Sequence, residues 1–408
     1  MQIVLPDLLG KDSLAWQQHL EGVAGQPYLH PFQNDIIEFV NEVALRLLRH
    51  NESRNYPDVL ALGYWLRKKR IHDLKGQYES KSGQAVWGPR GLVLHFAPAN
   101  VDTIFMYSWF ISLLLGNSNV LRVSQQRGAQ ANFLIAQVNE VLGKEEYKAI
   151  RTRNLVLSYG HDEEITGQLS GVCQMRVIWG GDETIRRIRR IPLPPQAMEI
   201  TFADRFSLAL LDADKVQAGR DEDLQNIAEA FYNDAFWFDQ NACSSPRAII
   251  WVGKQETVAS AKQRFWQAVC QQIDEKKYTL PLSNAMNRLV TAYDYAIAGC
   301  RMKADLSIPT LVQADQLTIA MREEHCGGGL FIELERENLN EVADILNHKD
   351  QTVTVYGFLP ETLYEHSQQW LAKGLSRIVP MGKALEFDVV WDGYDLLRMF
   401  TKELFIGL

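Results

Sequence analysis

Cysteine is scarce and scattered. Five occur in 408 residues, at Cys173, Cys243, Cys270, Cys300 and Cys326, and no two form a CxxC pair. Such spacing offers neither a disulfide framework nor a structural zinc site, and it fits a compartment that keeps thiols reduced. Excess positive charge is missing as well. Lys and Arg number 42 against 50 Asp and Glu, a formal charge of −8, so nothing draws the chain toward nucleic acid or an anionic membrane. Long apolar runs are absent: the most apolar stretch, Val101–Leu115, contains Asp102 and is too short to span a bilayer as a helix. The first ten residues, MQIVLPDLLG, lack the basic region and apolar run of a secretory signal. A cytoplasmic protein is expected. Neither GxGxxG nor the P-loop pattern ending in GKS or GKT occurs, which removes the strongest phosphate-cradling signatures.

What is present describes an ordinary globular chain, with 46% hydrophobic and 23% charged residues. Its length accommodates two or three domains. Ile36, Ile37, Phe39, Val40, Val43, Ala44, Leu47 and Leu48 recur at three- and four-residue steps, so the first ninety residues are expected to be helical. From Gly91 the pattern changes. Strands are expected at 91–97, 119–123, 154–158 and 175–179, with helices at 103–115, 129–142 and 182–190 between them. Such alternation implies parallel strands joined by crossover helices. A second run of the same kind has strands at 206–211, 247–252, 328–334 and 352–356, with helices at 223–235, 257–272 and 339–346. The expected organisation is a helical part at 1–90, an α/β domain at 91–205, a second at 206–380 and a closing segment at 381–408. No composition shift marks the boundary near 205.

Three segments can carry chemistry. In Asn241-Ala-Cys243-Ser-Ser-Pro246, a cysteine lies among small and polar residues just ahead of an apolar strand. There it reads either as a reactive thiolate or as a small buried hydrophobe. Cys326, in Glu324-His-Cys-Gly-Gly-Gly329, is its rival. Trp179-Gly-Gly-Asp182 opens a helix after a strand, as either a phosphate-facing turn or a plain capped one. Asn100 ends a strand ahead of a long apolar helix, as an oxyanion donor or a cap. His95 reads as structural.

In ordered succession these segments resemble one family. Gly91–Asn100, Leu115–Ser124, Trp179–Glu183, Glu199–Ser207, Gln240–Arg247, Ser376–Gly382 and Trp391–Asp395 are similar to the LuxC-type acyl-CoA reductase branch of the aldehyde dehydrogenase superfamily. The resemblance implies an aldehyde-dehydrogenase-like α/β fold of two doubly wound lobes, with the active site in the cleft between them. It matches Cys243 to the nucleophile and Asn100 to the oxyanion-hole asparagine. Arg122 falls where a lysine contacts the adenosine ribose, with Ser124 beside it. Gly180, Gly181 and Asp182 match the turn facing the dinucleotide phosphates, and Glu324 the glutamate that steadies the nicotinamide ribose. Glu199 matches the glutamate that activates water in oxidative members. Here Ile200-Thr-Phe-Ala203 replaces the glycine pair that follows it there, which leaves a proton relay as its remaining role.

The resemblance implies NADPH-dependent reduction of an acyl thioester to the aldehyde through acyl-Cys243. No carboxylate follows Arg122 through Arg127, and arginine grips phosphate well, which favours NADPH, with NADH as the alternative. The donor is an acyl-CoA, a carrier protein or an acyl-protein synthetase, and the family implies a homo-oligomer. Competing expectations are an oxidative aldehyde dehydrogenase, a cysteine acyltransferase or thioesterase that binds no nicotinamide, and a catalytically silent relative.

Overall fold

A computed structural model describes residues 1–6, 16–83, 85–98, 101–302 and 308–407. The chain divides into two units, residues 1–203 with 387–408, and residues 204–386. Both are α/β, each built on its own largely parallel sheet.

The first unit contains β1 (Gln2–Leu5), β2 (Val86–Pro89), β3 (Leu92–Phe96), β4 (Ser118–Val123), β5 (Asn154–Ser158), β6 (Met175–Trp179) and β7 (Met198–Phe202). Its sheet runs β1-β5-β4-β3-β6-β7, parallel except for β1, which pairs antiparallel with β5. Strand parity explains the double winding. Val93, Leu121, Val156 and Val177 face a core shared with helices 34–49, 57–65, 104–114 and 129–142. Leu92, Leu94, Phe96, Val120, Leu155 and Ile178 face the other core, with Leu169, Ile185 and Ile188. A sheet covered on both faces must be apolar at successive positions, which is why these strands read as unbroken hydrophobic runs.

Topology also fixes where a ligand can enter. The chain leaves β3 to form β4 on one side and later β6 on the other. The C-terminal ends of β3, β4 and β6 therefore open a crevice at a switch point.

The second unit holds β8 (Phe206–Asp212), β9 (Pro246–Val252), β10 (Arg301–Met302), β11 (Thr310–Gln313), β12 (Leu330–Arg336), β13 (Asp350–Tyr356) and β14 (Arg377–Pro380). They are ordered β10-β11-β12-β9-β8-β13-β14, with only β10 antiparallel. Leu208, Leu210, Ile250 and Ile332 pack on one face, and Ala209, Leu211, Ile249, Trp251 and Phe331 on the other, against helices 221–236 and 255–275. A buried Arg322–Asp350 pair, with both carboxylate oxygens engaged at 2.8 and 2.7 Å, anchors the start of β13.

The last strands return to the first unit. β15 (Val390–Trp391) and β16 (Tyr394–Asp395) form a small ribbon, and β17 (Thr401–Leu404) pairs antiparallel with β2. The helical expectation for the first ninety residues is therefore incomplete: helices 16–24, 34–49, 57–65 and 68–82 are present, but β1 and β2 flank them. At four residues each, these strands are too short to show a period.

Candidate active site

Cys243 sits in a turn between helix 221–236 and β9, half-buried. The turn is held from several sides. Asp239 and Gln240 both take positive φ, 51° and 61°, reversing the chain as it leaves the helix. The Gln240 side chain is buried, and its amide is fully used. Nε2 donates to the carbonyls of Pro246 at 3.1 Å and Leu330 at 3.0 Å, while Oε1 accepts from Gly329 N at 2.7 Å. Arg247 Nε closes the same loop on the Gln240 carbonyl at 3.1 Å.

A second clamp acts on Cys243 itself. Ser207 Oγ, at the start of β8, donates to the Cys243 carbonyl at 2.6 Å and accepts from Thr352 N at 3.3 Å. The Gly327-Gly328-Gly329 turn closes the third side: Gly328 N donates to Asp239 O at 2.8 Å. A Cβ on Gly327, where φ is +70°, would come within 2.7 Å of that same carbonyl. Only glycine allows this approach. A thiol held on so braced a turn starts from a fixed position, which is what nucleophilic attack requires.

Burial acts on three of the other thiols. Burial pushes Cys173 up to about 11 and raises Cys300. Burial also raises Cys326, although Thr291, Arg288 and Arg247 pull the other way. Such shifts lower the thiolate fraction at neutral pH.

In the first unit, the crevice at the sheet's C-terminal edge is lined by Phe96, Ala97, Arg122, Tyr159, His161, Trp179, Thr184, Arg187 and Ile188, together with Asp162 and Glu163. Arg122 is half-buried. Its Nη2 donates to Tyr159 O at 3.0 Å, and its guanidinium lies 5.7 Å from the centre of that ring. Gly180 and Gly181 form the turn between Trp179 and Thr184. Gly180 N donates to Phe202 O at 3.1 Å, and Gly181 caps helix 182–189, which begins at Asp182. A Cβ on Gly181 would meet nothing within 4 Å, so this turn is open to an approaching group. Ser124 is occupied locally: its Oγ accepts from Gln126 N at 3.1 Å, and its carbonyl takes Arg127 Nη1 at 2.9 Å.

The remaining expected residues fall elsewhere. Asn100 lies outside the described residues. Glu199, on β7, is held in ion pairs: Oε2 accepts from Arg176 at 2.7 and 2.5 Å, and Oε1 from Arg189 at 2.8 Å. Both carboxylate oxygens are engaged, so the geometry gives Glu199 a structural task. Glu324 is exposed, follows helix 319–323 and belongs to the second unit, whereas Arg122 and Gly180–Asp182 belong to the first. His95 is buried between Ser108 Oγ at 2.9 Å and Asn119 Oδ1 at 3.1 Å, and burial lowers it to about 4, so it is a neutral core residue.

Sequence reasoning missed Gln240, Ser207, His161 and Arg187. Their roles depend on contacts with distant segments, and only the run of three glycines carried a local signal. Among the described residues, no group of three His, Cys, Asp or Glu side chains could hold a metal.

The crevice and the braced thiol belong to a fold shared with aldehyde dehydrogenases. The Pseudomonas syringae indole-3-acetaldehyde dehydrogenase AldA, a mutant in complex with NAD+ and IAA, superposes with TM-score 0.68 at 15% identity, over 96% of this chain and 88% of that one. The 1-pyrroline-5-carboxylate dehydrogenase from Thermus with bound NAD gives TM-score 0.66 at 13% identity, over 95% and 83%. The fold class is thus aldehyde-dehydrogenase-like.

The family follows from the sequence itself. The profile described as acyl-CoA reductase (LuxC) matches residues 69–402, and the chain belongs to that family. Its relatives include the long-chain acyl-protein thioester reductase of Aliivibrio fischeri, 21% identical over 302 residues, 72% of this chain and 59% of the relative. The protein of the same name from Photorhabdus laumondii is 21% identical over 303 residues, 72% and 58%. This chain spans about three fifths of the length of these relatives.

Proposed function

We propose that this protein reduces an acyl thioester to the aldehyde, with Cys243 as nucleophile and NADPH as reductant. The observation that carries the proposal is the cross-braced turn that holds Cys243. Two findings support it: membership of the acyl-CoA reductase family and a crevice at the switch point of the other unit's sheet. The relatives are named for acyl-protein thioesters, and an acyl group presented on a protein thiol or on coenzyme A is the substrate we infer.

The residues present fit a dinucleotide. The turn is open at Gly181, the N–H groups that begin helix 182–189 suit a phosphate, and Arg122 projects into the crevice. When bound, the nicotinamide supplies the hydride. The protein does the rest. Cys243 attacks the thioester carbonyl, the carbon–sulfur bond to the departing thiol breaks, and an acyl-cysteine remains. Thiol and leaving group are chemically matched, so this exchange is close to balanced. Ser207 and Gln240 keep the Cys243 backbone fixed through both steps. Asn100, as the resemblance implies, donates to the developing oxyanion. After reduction the carbon–sulfur bond to Cys243 breaks, which frees the aldehyde and returns the Cys243 thiolate. Glu199 takes no step in this scheme, because Arg176 and Arg189 occupy its carboxylate. We infer that a homo-oligomer carries out the reaction in the cytoplasm, as the resemblance implies. No helix among the described residues is long and apolar enough to cross a membrane.

The test is NADPH oxidation with long-chain acyl-CoA and acyl-protein donors. Thioester-dependent aldehyde formation that Cys243→Ala abolishes supports the proposal. Turnover of aldehyde to free acid without a thiol, or passage of the acyl group from Cys243 to another thiol or to water with no nucleotide needed and no aldehyde formed, overturns it.

A further inference from the structure

The crevice in the first unit collects cations without neutralising them. Helix 182–189 carries three arginines, and the two that face away from the crevice are paired: Arg186 with Glu183 at 3.0 Å and Asp182 at 3.9 Å, Arg189 with Glu199 at 2.8 Å. Arg187, between them, lines the crevice half-buried, and its hydrogen-bond partner is the imidazole of His161. Arg122, from β4, donates to a carbonyl and lies over a ring. Among the described residues neither Arg187 nor Arg122 pairs with a carboxylate.

The two acidic residues on the rim do not change this. Asp162 Oδ1 accepts from Ile165 N at 3.0 Å and caps helix 163–172, and Glu163 is exposed in the first turn of that helix. The two guanidiniums also repel one another, while His161 accepts from Arg187 as a neutral imidazole. Arg187 and Arg122 both disfavour a proton on His161, although its partial burial is the larger cause. Placing like charges together costs energy unless a counter-charge arrives. The crevice's other walls are Phe96, Trp179, Ile188 and Ile191.

We propose that Arg187, together with Arg122 and His161, binds the 2′-phosphate on the adenosine ribose of the cofactor, and that Arg187 sets the preference for NADPH over NADH. A ribose with a free 2′-hydroxyl offers Arg187 and Arg122 nothing to neutralise, whereas a phosphomonoester offers a dianion and three acceptor oxygens, and it draws a proton onto His161. The inference deepens the proposed function and rests on its nucleotide site.

Direct binding tests it, without turnover. NADPH, NADH, adenosine 2′-monophosphate and adenosine 5′-monophosphate are titrated by calorimetry against the full chain, as wild type, Arg187→Ala and Arg187→Lys. The expected result is tighter binding of NADPH than NADH and of the 2′- than the 5′-monophosphate. Arg187→Ala should cut both preferences by about tenfold or more, the loss typical of one charge-assisted contact. Arg187→Lys should restore part of them. Unchanged preferences in Arg187→Ala overturn the inference, as does a wild type that binds NADH as tightly as NADPH. A wild type that binds neither nucleotide overturns the nucleotide reading of the proposed function itself. A urea midpoint for each variant shows whether the fold is retained.

Discussion

Gln240 should be the most costly single polar residue to lose near the thiol. Replacing it by methionine keeps an unbranched side chain of similar length and leaves the backbone cost of φ 61° nearly the same. What disappears is the amide, and with it the partners of Pro246 O, Leu330 O and Gly329 N, at 3.1, 3.0 and 2.7 Å. Each buried backbone group left unpaired costs about 1–3 kcal/mol. Partial relaxation keeps the sum below the additive limit, so a loss of about 3–5 kcal/mol is expected, large for a point substitution. Of a total stability of about 5–15 kcal/mol, all but the lowest values leave the variant folded. Urea unfolding followed separately for the two units should show the loss in residues 204–386. Alkylation of Cys243 by iodoacetamide, followed by peptide mapping, should change rate as the turn loosens. A loss below about 1 kcal/mol with unchanged alkylation would refute the bracing argument, because three unpaired groups cannot cost so little.

Two further predictions rest on ionisable groups. Glu199→Gln should lower stability by about 1–3 kcal/mol, because the almost fully buried Arg176 loses its counter-charge. Thioester reduction per folded molecule should stay near wild type; a collapse of turnover at unchanged stability would return Glu199 to the chemistry. Asp234 accepts from Gly382 N at 2.6 Å and Ala384 N at 2.9 Å, yet burial pushes it up to about 7. A carboxyl raised above its unfolded value binds its proton more tightly when folded. Its contribution is therefore fully present below about pH 4 and lost as pH rises toward 7. The stability difference between wild type and Asp234→Asn should accordingly shrink from pH 5 to pH 8 in paired urea titrations. A difference that grows with pH would contradict the assignment.

Much of this architecture is legible in the sequence. β5 and β6 fall at 154–158 and 175–179, as expected from the sequence, and β3, β4, β8 and β9 within one residue or so. These are central parallel strands, buried on both faces, where unbroken apolar runs are the rule. Edges were not legible. β1, β2 and β17 are short strands whose pairing depends on partners far away in sequence, β14 is a four-residue edge strand, and β7 has an alternating pattern with Glu199 and Thr201 only partly buried. The expected helix at 339–346 is a 3-10 turn at 339–341 followed by one helical turn at 342–345. Local sequence marked the Cys243 turn and the glycines, because tight turns need small residues. It could not show that a glutamine side chain from one loop pairs with the backbone of another ninety residues away. Nor could it show that Glu199, similar to a water-activating glutamate by position, sits between two arginines.

The central claim is that Cys243 carries the acyl group and that NADPH discharges it as aldehyde. Intact mass after incubation with a panel of acyl thioesters, without nucleotide, tests this most directly. The account predicts a single acyl adduct on wild type, none on Cys243→Ala, and its disappearance with stoichiometric aldehyde when NADPH is added. An adduct that persists in Cys243→Ala, or one released only as free acid or onto another thiol, would contradict it.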